Sequence, residues 1–559
     1  MTDSAPTSEA EIDSSAGVPM HFASIWEAVA DLRGDGLAVV QGDRAVSWRD
    51  YEDRASRLAA AFVDAGLGRD SKVGIYLYNS PEYCETNFAA LKLGGSPINV
   101  NYRYRDDELR YLLDNADAEA IVFHSSLGDR IARVVDGLPG LKLLVEVEDG
   151  PAPDGSSHVA GSVRYDELLA GHERMPRRTP DGAEIYMLYT GGTTGMPKGV
   201  MYPVSGFTAF LAQGYAPFVG LAAPQSADDI VSAVAAMGDS DRLVSMSGPP
   251  LMHGTGCWFG LMVPHLFGGT ACLLERRSLD PGEVWSVVER DGVRDMVIVG
   301  DAFARPLVHA LDAEPNRWDL SSLRLMISSG AMFSTDVKQQ LLGHLPTLAI
   351  VDVLGSTEGG MGVSIATKGM PAAETARFGR SATTKVFTDD GREVAPGSGE
   401  VGVVAAGGMV PLGYYKDSEK SARTFREIDG ERYTFTGDMA RVADDGSIEL
   451  LGRGSNCINT GGEKVFPEEV EEALKRQPAI EDALVFGVSD DRFGSRVVGV
   501  VSLAAGVTAT PDEVIADTKH QLAGYKVPRE IHIVGDVPRA PNGKADYPRA
   551  RALFESANI

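Results

Sequence analysis

Cysteine is scarce in this sequence, with four in 559 residues. Cys84, Cys257, Cys272 and Cys457 are far apart and form no CxxC pair or Cys/His spacing, so neither a zinc motif nor a disulfide framework is expected. Positive charge is also short: 52 Lys and Arg stand against 79 Asp and Glu, for a formal net charge of −27. A field of that sign repels nucleic acid and anionic lipid surfaces, and no nucleic-acid partner is expected. No apolar run reaches the ~18 residues that a membrane span needs. The start MTDSAPTSEAEIDSSAG is polar and lacks the apolar centre of a secretory signal, so a cytoplasmic protein without integral membrane association is expected. There is no GxSxG, which removes the usual nucleophile elbow of an α/β-hydrolase. Gly397, Gly399 and Gly402 satisfy GxGxxG, but a strand-like Val-Val-Ala-Ala follows where the dinucleotide fold requires a helix.

What is present reads as a multidomain α/β protein, since 559 residues exceed one compact core. After a tail of about 18 residues expected to be disordered, helical and strand patterns alternate. Tyr51 to Ala65 is helical, with Leu58, Ala61 and Phe62 on one face and Gly66 as a stop. Lys72 to Tyr78 reads as a buried strand, Pro81 opens a helix that ends at Gly94 and Gly95, and another strand begins near Pro97. The βα pattern continues from Arg105 to Phe123, and Glu148 to Gly161 is a turn-rich surface loop. Val, Gly and aromatic residues over Gly399 to Gly413 and Tyr433 to Leu451 indicate a smaller β-rich portion. The character changes near Leu451, and the last ~100 residues suffice for a small α+β domain. The expected boundaries are a tail over 1–18, a large N-terminal domain over 19–452 and a C-terminal domain over 453–559.

The strongest local signal is YTGGTTGMPKG, from Tyr189 to Gly199. It follows the strand-like Ile185 to Leu188, and its glycines and threonines can expose amides and hydroxyls to phosphate oxygens. Thr190, Gly191, Gly192, Thr193 and Thr194 are the candidate phosphate contacts, with Lys198 adding a positive charge. It is not a Walker A loop, because Pro197 precedes the lysine and Gly199 follows it.

This segment resembles that of the acyl-adenylate-forming superfamily, which includes acyl-CoA synthetases, luciferases and adenylation domains of peptide synthetases. Further strings match in family order from about residue 45 to about residue 550. PPLMHGTG is similar to the segment whose histidine, here His253, borders the acyl pocket. SSGA, containing Ser329, Gly330 and Ala331, resembles the adenine-side loop. LGSTEGG, with Gly355, Ser356, Thr357 and Glu358, resembles the motif supplying a nucleotide hydroxyl and a metal-binding carboxylate. TGD supplies the ribose aspartate Asp438, Gly452-Arg453 resembles the hinge region, and PNGK carries the tail lysine Lys544. The resemblance implies ATP, Mg²⁺ and coenzyme A, with Lys544, Glu358 and Thr190 as candidate catalytic residues and Glu358 as metal ligand. It also implies a small mobile C-terminal domain that turns about a hinge at Ser455 and presents Gly461 and Gly462 to CoA. A homodimer is the candidate assembly.

Each residue type suits its assigned chemistry. Carboxylate attack on the α-phosphorus concentrates charge on phosphoryl oxygens, so positioned cations are the main need. A carboxylate such as Asp438 can accept both hydroxyls of a ribose diol, and Arg453 is the matching donor. His253 is read as pocket lining without proton transfer.

Two departures stand out: Leu354 replaces the usual aromatic against adenine, and Ser455-Asn456 replaces the usual Asp or Lys at the hinge. Gly355 lies where, in the enzymes this sequence resembles, a bulky side chain closes the pocket for very short acids, and Gly359, Gly360 and Gly362 are read as further open space. The expected acid is therefore medium, long or bulky and hydrophobic. The string GSNCINTGGEKVFPEEVEEA resembles fatty-acid and sterol side-chain CoA ligases, which adds a steroid carboxylate. The alternatives are an enzyme that stops at acyl-AMP or loads a carrier protein, and an inactive nucleotide or lipid sensor.

Overall fold

A computed structural model describes residues 17–150, 159–191, 196–238, 241–370, 375–460, 463–490, 494–540 and 543–556. Most of the acidic tail and the centre of the loop at 148–161 thus lie outside the described residues. Val18, within the stretch read as tail, donates its N–H to Asp228 Oδ1 at 3.0 Å.

The early elements form where local chemistry places them. The helix Trp48–Asp64 starts one turn ahead of the apolar periodicity because Ser47 caps it, its Oγ accepting from Asp50 N–H at 3.0 Å. Pro81–Leu93 has Ser80 as its cap, Pro81 in its first turn and Gly94 at its end. Every residue of this helix is buried, which accounts for its weak amphipathic pattern. Five strands in the order Ser96–Asn99, Lys72–Tyr76, Ala118–His124, Leu143–Val147 and Ser162–Arg164 make an all-parallel sheet.

A second, 14-stranded sheet has a parallel centre of Thr270–Leu273, Val244–Ser247, Asp295–Ile298, Leu325–Ser329 and Ala349–Ser356. The helices Pro281–Asp291, Gly300–Ala313 and Thr335–His344 make the crossovers between its later strands. After Ser356 the chain turns back as Gly359–Ala366, antiparallel, and the sheet continues through Arg377–Arg380, Ile448–Arg453, Glu431–Val442 and Gly402–Ala406. This is the β-rich portion expected from composition, and Gly402 does open a strand rather than a helix. Carboxyl ends of the parallel strands converge around Pro249, Val299, Gly330 and Val353, the edge at which such sheets hold ligands.

The C-terminal part is a separate three-stranded sheet of Ile480–Asp490, Gly494–Leu503 and Glu530–Ile533, packed by Pro467–Lys475, Pro511–Thr518 and Tyr547–Ser556. It docks on the crossover helix that begins at Gly300. Lys475 Nζ lies 3.9 Å from Asp301 Oδ2. Gly543 has φ +75°, and a Cβ there would stand 2.9 Å from Ala302 Cβ, so a glycine serves both the left-handed turn and the close approach.

Asn99 ties the end of the first sheet to the strand Ile185–Thr190 and to the segment that follows Val244–Ser247. Its Nδ2 donates to the carbonyls of Tyr189 at 2.8 Å and Met252 at 2.7 Å, and its Oδ1 accepts from Tyr189 N–H at 2.7 Å. Asn99→Leu would strand one N–H and two carbonyls in a buried place, at about 1–3 kcal/mol for each unmet group. We expect a lowered urea midpoint with unchanged slope, and a loss of activity in the folded fraction as the ends of both segments loosen. Unchanged stability would show that Asn99 is not a clamp.

Candidate active site

At that convergent edge lies a cavity of ≈ 430 Å³. Thr190 and Gly191 enter it from the end of the strand Ile185–Thr190, Ser329 and Gly330 from the end of Leu325–Ser329, and Gly355, Ser356 and Thr357 from the end of Ala349–Ser356. Lys544 enters from the C-terminal part. Residues over 350 positions apart in the chain thus share one small volume.

The tail lysine is presented by a tight turn. Ala540 N–H donates to the Lys544 carbonyl at 2.8 Å, and Gly543 N–H to the Ala540 carbonyl at 2.8 Å. Arg539 braces the turn from below, bidentate to Asp482 at 2.6 and 2.7 Å and reaching the Gly543 carbonyl at 3.3 Å. The Lys544 side chain passes Gly330 so closely that a Cβ on Gly330 would lie 3.7 Å from Lys544 Cε. Surrounding protein, and next the Arg453 guanidinium, lower the lysine pKa, while Glu358 and Asp438 act in the opposite sense.

Asp438 and Arg453 are direct cross-strand partners, and their side chains meet at 3.5 Å. Thr436 Oγ1 donates to the other oxygen of Asp438. Glu358 sits behind the cavity wall with Oε1 accepting from Tyr414 OH at 2.8 Å, and its backbone carbonyl accepts from Thr434 Oγ1 at 3.0 Å. Tyr202 OH donates to the Thr357 carbonyl at 3.0 Å, and burial, then the Glu358 charge, push both tyrosines up. Ser329 Oγ donates to the Val353 carbonyl at 3.0 Å, while Ala331 packs with the adjoining apolar core.

Lys198 is placed differently from the expected phosphate contact. It is ion-paired with Asp417 and stands 5.8 Å from the centre of the Tyr414 ring, outside the cavity lining. Gly192, Thr193, Thr194, Gly461 and Gly462 lie outside the described residues, and Ser455 falls in a single 3₁₀ turn, Gly454–Asn456.

The cavity also has aromatic lining. A π-helical turn over Thr255–Met262 carries Trp258 and Phe259 into the wall, with Trp258 Nε1 donating to Tyr186 OH at 2.9 Å. Such wide turns recur at functional sites. His253 lines the cavity as expected, and burial, followed by the charges of Lys544 and Arg103, lowers its pKa to about 4. It is therefore a neutral ring at neutral pH.

The reading of the glycines needs correction at one position. Gly355, Gly359 and Gly360 line the cavity, Gly360 opposite Phe210, although a Cβ on Gly355 would stand 3.2 Å from the Gly359 carbonyl and one on Gly359 3.3 Å from Ala406 Cβ. Gly362 is not in that lining, and a Cβ on it would stand 2.6 Å from the Gly379 carbonyl. A register shift between Leu354 and Gly355 turns Gly362 towards the neighbouring strand, so it permits close strand packing rather than substrate room. Leu354 points away from the cavity too, into a cluster with Met361, Val386 and Val404.

Sequence reasoning missed Asn99, Tyr414, Asp417 and Phe210. Asn99 had a faint signal, as a polar residue inside the apolar run from Pro97 to Val100 that must find partners if buried. The others act through contacts across 56 to 219 positions or through a cavity wall, which local pattern does not encode.

The profile of the family described as AMP-binding enzyme matches residues 26–415, and that of the AMP-binding enzyme C-terminal domain matches residues 469–544. The chain is 40% identical over 536 residues to a 3-oxocholest-4-en-26-oate–CoA ligase of Rhodococcus rhodochrous, covering 94% of this chain and 95% of the relative. It is 39% identical over 543 residues to a medium/long-chain-fatty-acid–CoA/3-oxocholest-4-en-26-oate–CoA ligase of Mycobacterium tuberculosis, covering 96% and 97%. Among solved structures it is similar to the anthranilate CoA ligase AuaEII in complex with anthranoyl-AMP, with a TM-score of 0.82 at 21% identity over 98% of this chain and 99% of that one. A benzoate CoA ligase from Burkholderia xenovorans LB400 follows at 0.79 and 20%, covering 95% and 99%; at these identities the likeness shows the fold. The chain belongs to the AMP-binding enzyme family, within which it is an ATP-dependent, AMP-forming acyl-CoA synthetase.

Proposed function

We propose that this synthetase activates a medium-chain, long-chain or bulky hydrophobic carboxylic acid, with a steroid side-chain acid among its substrates. The observation that carries the reading is one cavity with two kinds of wall. Lys544, Thr190, Ser329 and Thr357 line it together with Trp258, Phe259, Gly355 and Gly360. An acid bound there can set its carboxylate among the polar groups and its chain against the apolar ones. The two relatives named for long-chain and steroid acids support the same class.

In the first half-reaction the substrate carboxylate attacks the α-phosphorus of ATP and pyrophosphate leaves. The Lys544 ammonium is the cation that meets both the attacking carboxylate and the α-phosphoryl oxygens, whose charge rises in the transition state. Thr190 and Thr357 offer hydroxyls to phosphate oxygens, and Asp438, with Arg453 beside it, accepts the ribose diol. Among the described residues no three His, Cys, Asp or Glu side chains gather into a metal cage. Glu358 alone beside the nucleotide wall suits Mg²⁺, which takes one or two protein carboxylates and fills its shell with phosphate oxygens and water. Bound there, the ion supplies neutralising charge to the phosphates.

For the second half-reaction the C-terminal part turns about Ser455 and withdraws Lys544, so the thiol of CoA can reach the acyl carbonyl and expel AMP. The contact of Lys475 with Asp301 breaks in that turn. A second pocket of ≈ 540 Å³ adjoins the acyl cavity through Gly248 to Pro250, and its arginines Arg44, Arg103, Arg276 and Arg277 share the lining with Asp43, Glu82, Glu148, Asp149 and Glu275. Arg44, Arg276 and Arg277 are engaged by Glu82, Asp280 and Asp149, so Arg103 is the candidate cation for a phosphate of CoA.

Three measurements test this reading. Lys544→Ala should lower pyrophosphate release with a hydrophobic acid by roughly 10²–10³-fold, while CoA transfer from supplied acyl-AMP falls far less; equal losses in both steps would remove its assigned role. Gly355→Trp should lower kcat/KM for palmitate on the order of a hundredfold relative to that for acetate, and an unchanged preference would place the acyl group elsewhere. Arg103→Glu should raise the KM for CoA about tenfold, one charge contact's worth, with adenylate formation retained.

A further inference from the structure

The acyl cavity is small for the acids proposed. Its ≈ 430 Å³ lies near the lower end of the ~300–1,000 Å³ usual for ligand pockets, and it must take phosphate-side atoms and acyl group together. A long or steroid tail has to leave it somewhere.

One wall is unfinished. Phe210, on the helix Val204–Tyr215, lines the cavity yet is 41% exposed. It approaches Gly360 to 3.8 Å from where a Cβ would stand, so no side chain locks it from across the gap. Val353 also lines the cavity, and its direct antiparallel partner is Val363. Paired residues of adjacent strands project to the same face, so Val363 continues the cavity wall outward. Ile365, two residues on, shares that face and extends it by roughly 7 Å. Val363 and Ile365 are 37% and 38% exposed. The residue paired with Val363 on its other side is Gly379, which has no side chain to cover it. The strand that lines the cavity at Gly359 and Gly360 thus goes on to present Val363 and Ile365 on an exposed sheet face beside Val353.

Resting on the reading of a hydrophobic acid substrate, we propose that Val363 and Ile365 form an outer acyl subsite for the part of the substrate distal to its carboxylate. Phe210 is the movable wall between the two compartments. Turning its side chain to another rotamer opens the gap against Gly360; the tail then covers Phe210, Val363 and Ile365 and removes their apolar surface from water. Selectivity for long over short acids comes from this ledge, while the inner cavity is shared by both.

The test compares kcat/KM for palmitate with that for hexanoate in the full-length enzyme with ATP and CoA. The double variant Val363→Asp/Ile365→Asp should lower the palmitate-to-hexanoate ratio about tenfold, the loss of two apolar contacts. Phe210→Trp, which narrows the gap, should lower it in the same direction. Val163→Asp, a similarly exposed valine on the remote strand Ser162–Arg164, should leave the ratio unchanged. Hexanoate turnover in the same preparations reports that each variant is folded. A ratio kept within about twofold in both test variants overturns the outer subsite while the hydrophobic-acid reading stands. A wild-type enzyme that prefers hexanoate overturns both. A ledge variant that changes oligomeric mass by light scattering and keeps its ratio would make this face a contact between copies of the chain instead.

Discussion

Bringing one lysine ammonium into a cavity built by residues hundreds of positions away is the constraint on which the rest of the structure depends. Lys544 keeps an exposed surface, yet the protein near it removes part of its hydration and lowers its pKa, an effect that nearby negative charge opposes. Around Lys544 the compensation comes from Glu358 and Asp438, while Arg453 opposes it. Each of those three is itself held: Glu358 by Tyr414, Asp438 by Thr436, and Arg453 by its position opposite Asp438 across two antiparallel strands. The β-rich portion of the large sheet thus serves as the electrostatic frame for a side chain that belongs to the C-terminal part.

The docking that delivers the lysine is made of small contacts. One ion pair at 3.9 Å between Lys475 and Asp301 and a glycine turn against Ala302 hold the tail to the first turn of a crossover helix. Both side chains of that pair are buried and Lys475 is shared with Glu472, so the cost of taking the charges out of water offsets much of their attraction. Within the C-terminal part, Arg539 is bidentate to Asp482 beneath the Lys544 turn.

Much of the fold was legible because its signals are local. Pro81 marks a helix start, Gly94 marks an end, and the run from Ile185 to Leu188 is the strand that carries Thr190. The candidate site was legible through strings of adjacent residues, and Thr190, His253, Ser329, Gly355, Thr357 and Lys544 do line one cavity. Where reasoning went astray, the cause was not local. Gly362 looks as spacious as Gly359 and Gly360 on paper, but a neighbouring strand closes on it while the other two line the cavity. Lys198 looks like a phosphate ligand until Asp417, 219 positions away, pairs with it.

The order of residues along the chain was by itself enough to determine the chemistry available. It carries a Gly- and Thr-rich loop after a strand, a carboxylate among glycines, an aspartate, an arginine and a lysine near the end. Only the tertiary structure decided which of these meet, and how much room they leave for an acid. Hydrogen-bonding and capping preferences act between neighbours in sequence, so they can be read there. Cavity volume, charge compensation at Lys544 and the open ledge beside Phe210 arise from packing between distant segments, and packing exists only once the chain has folded.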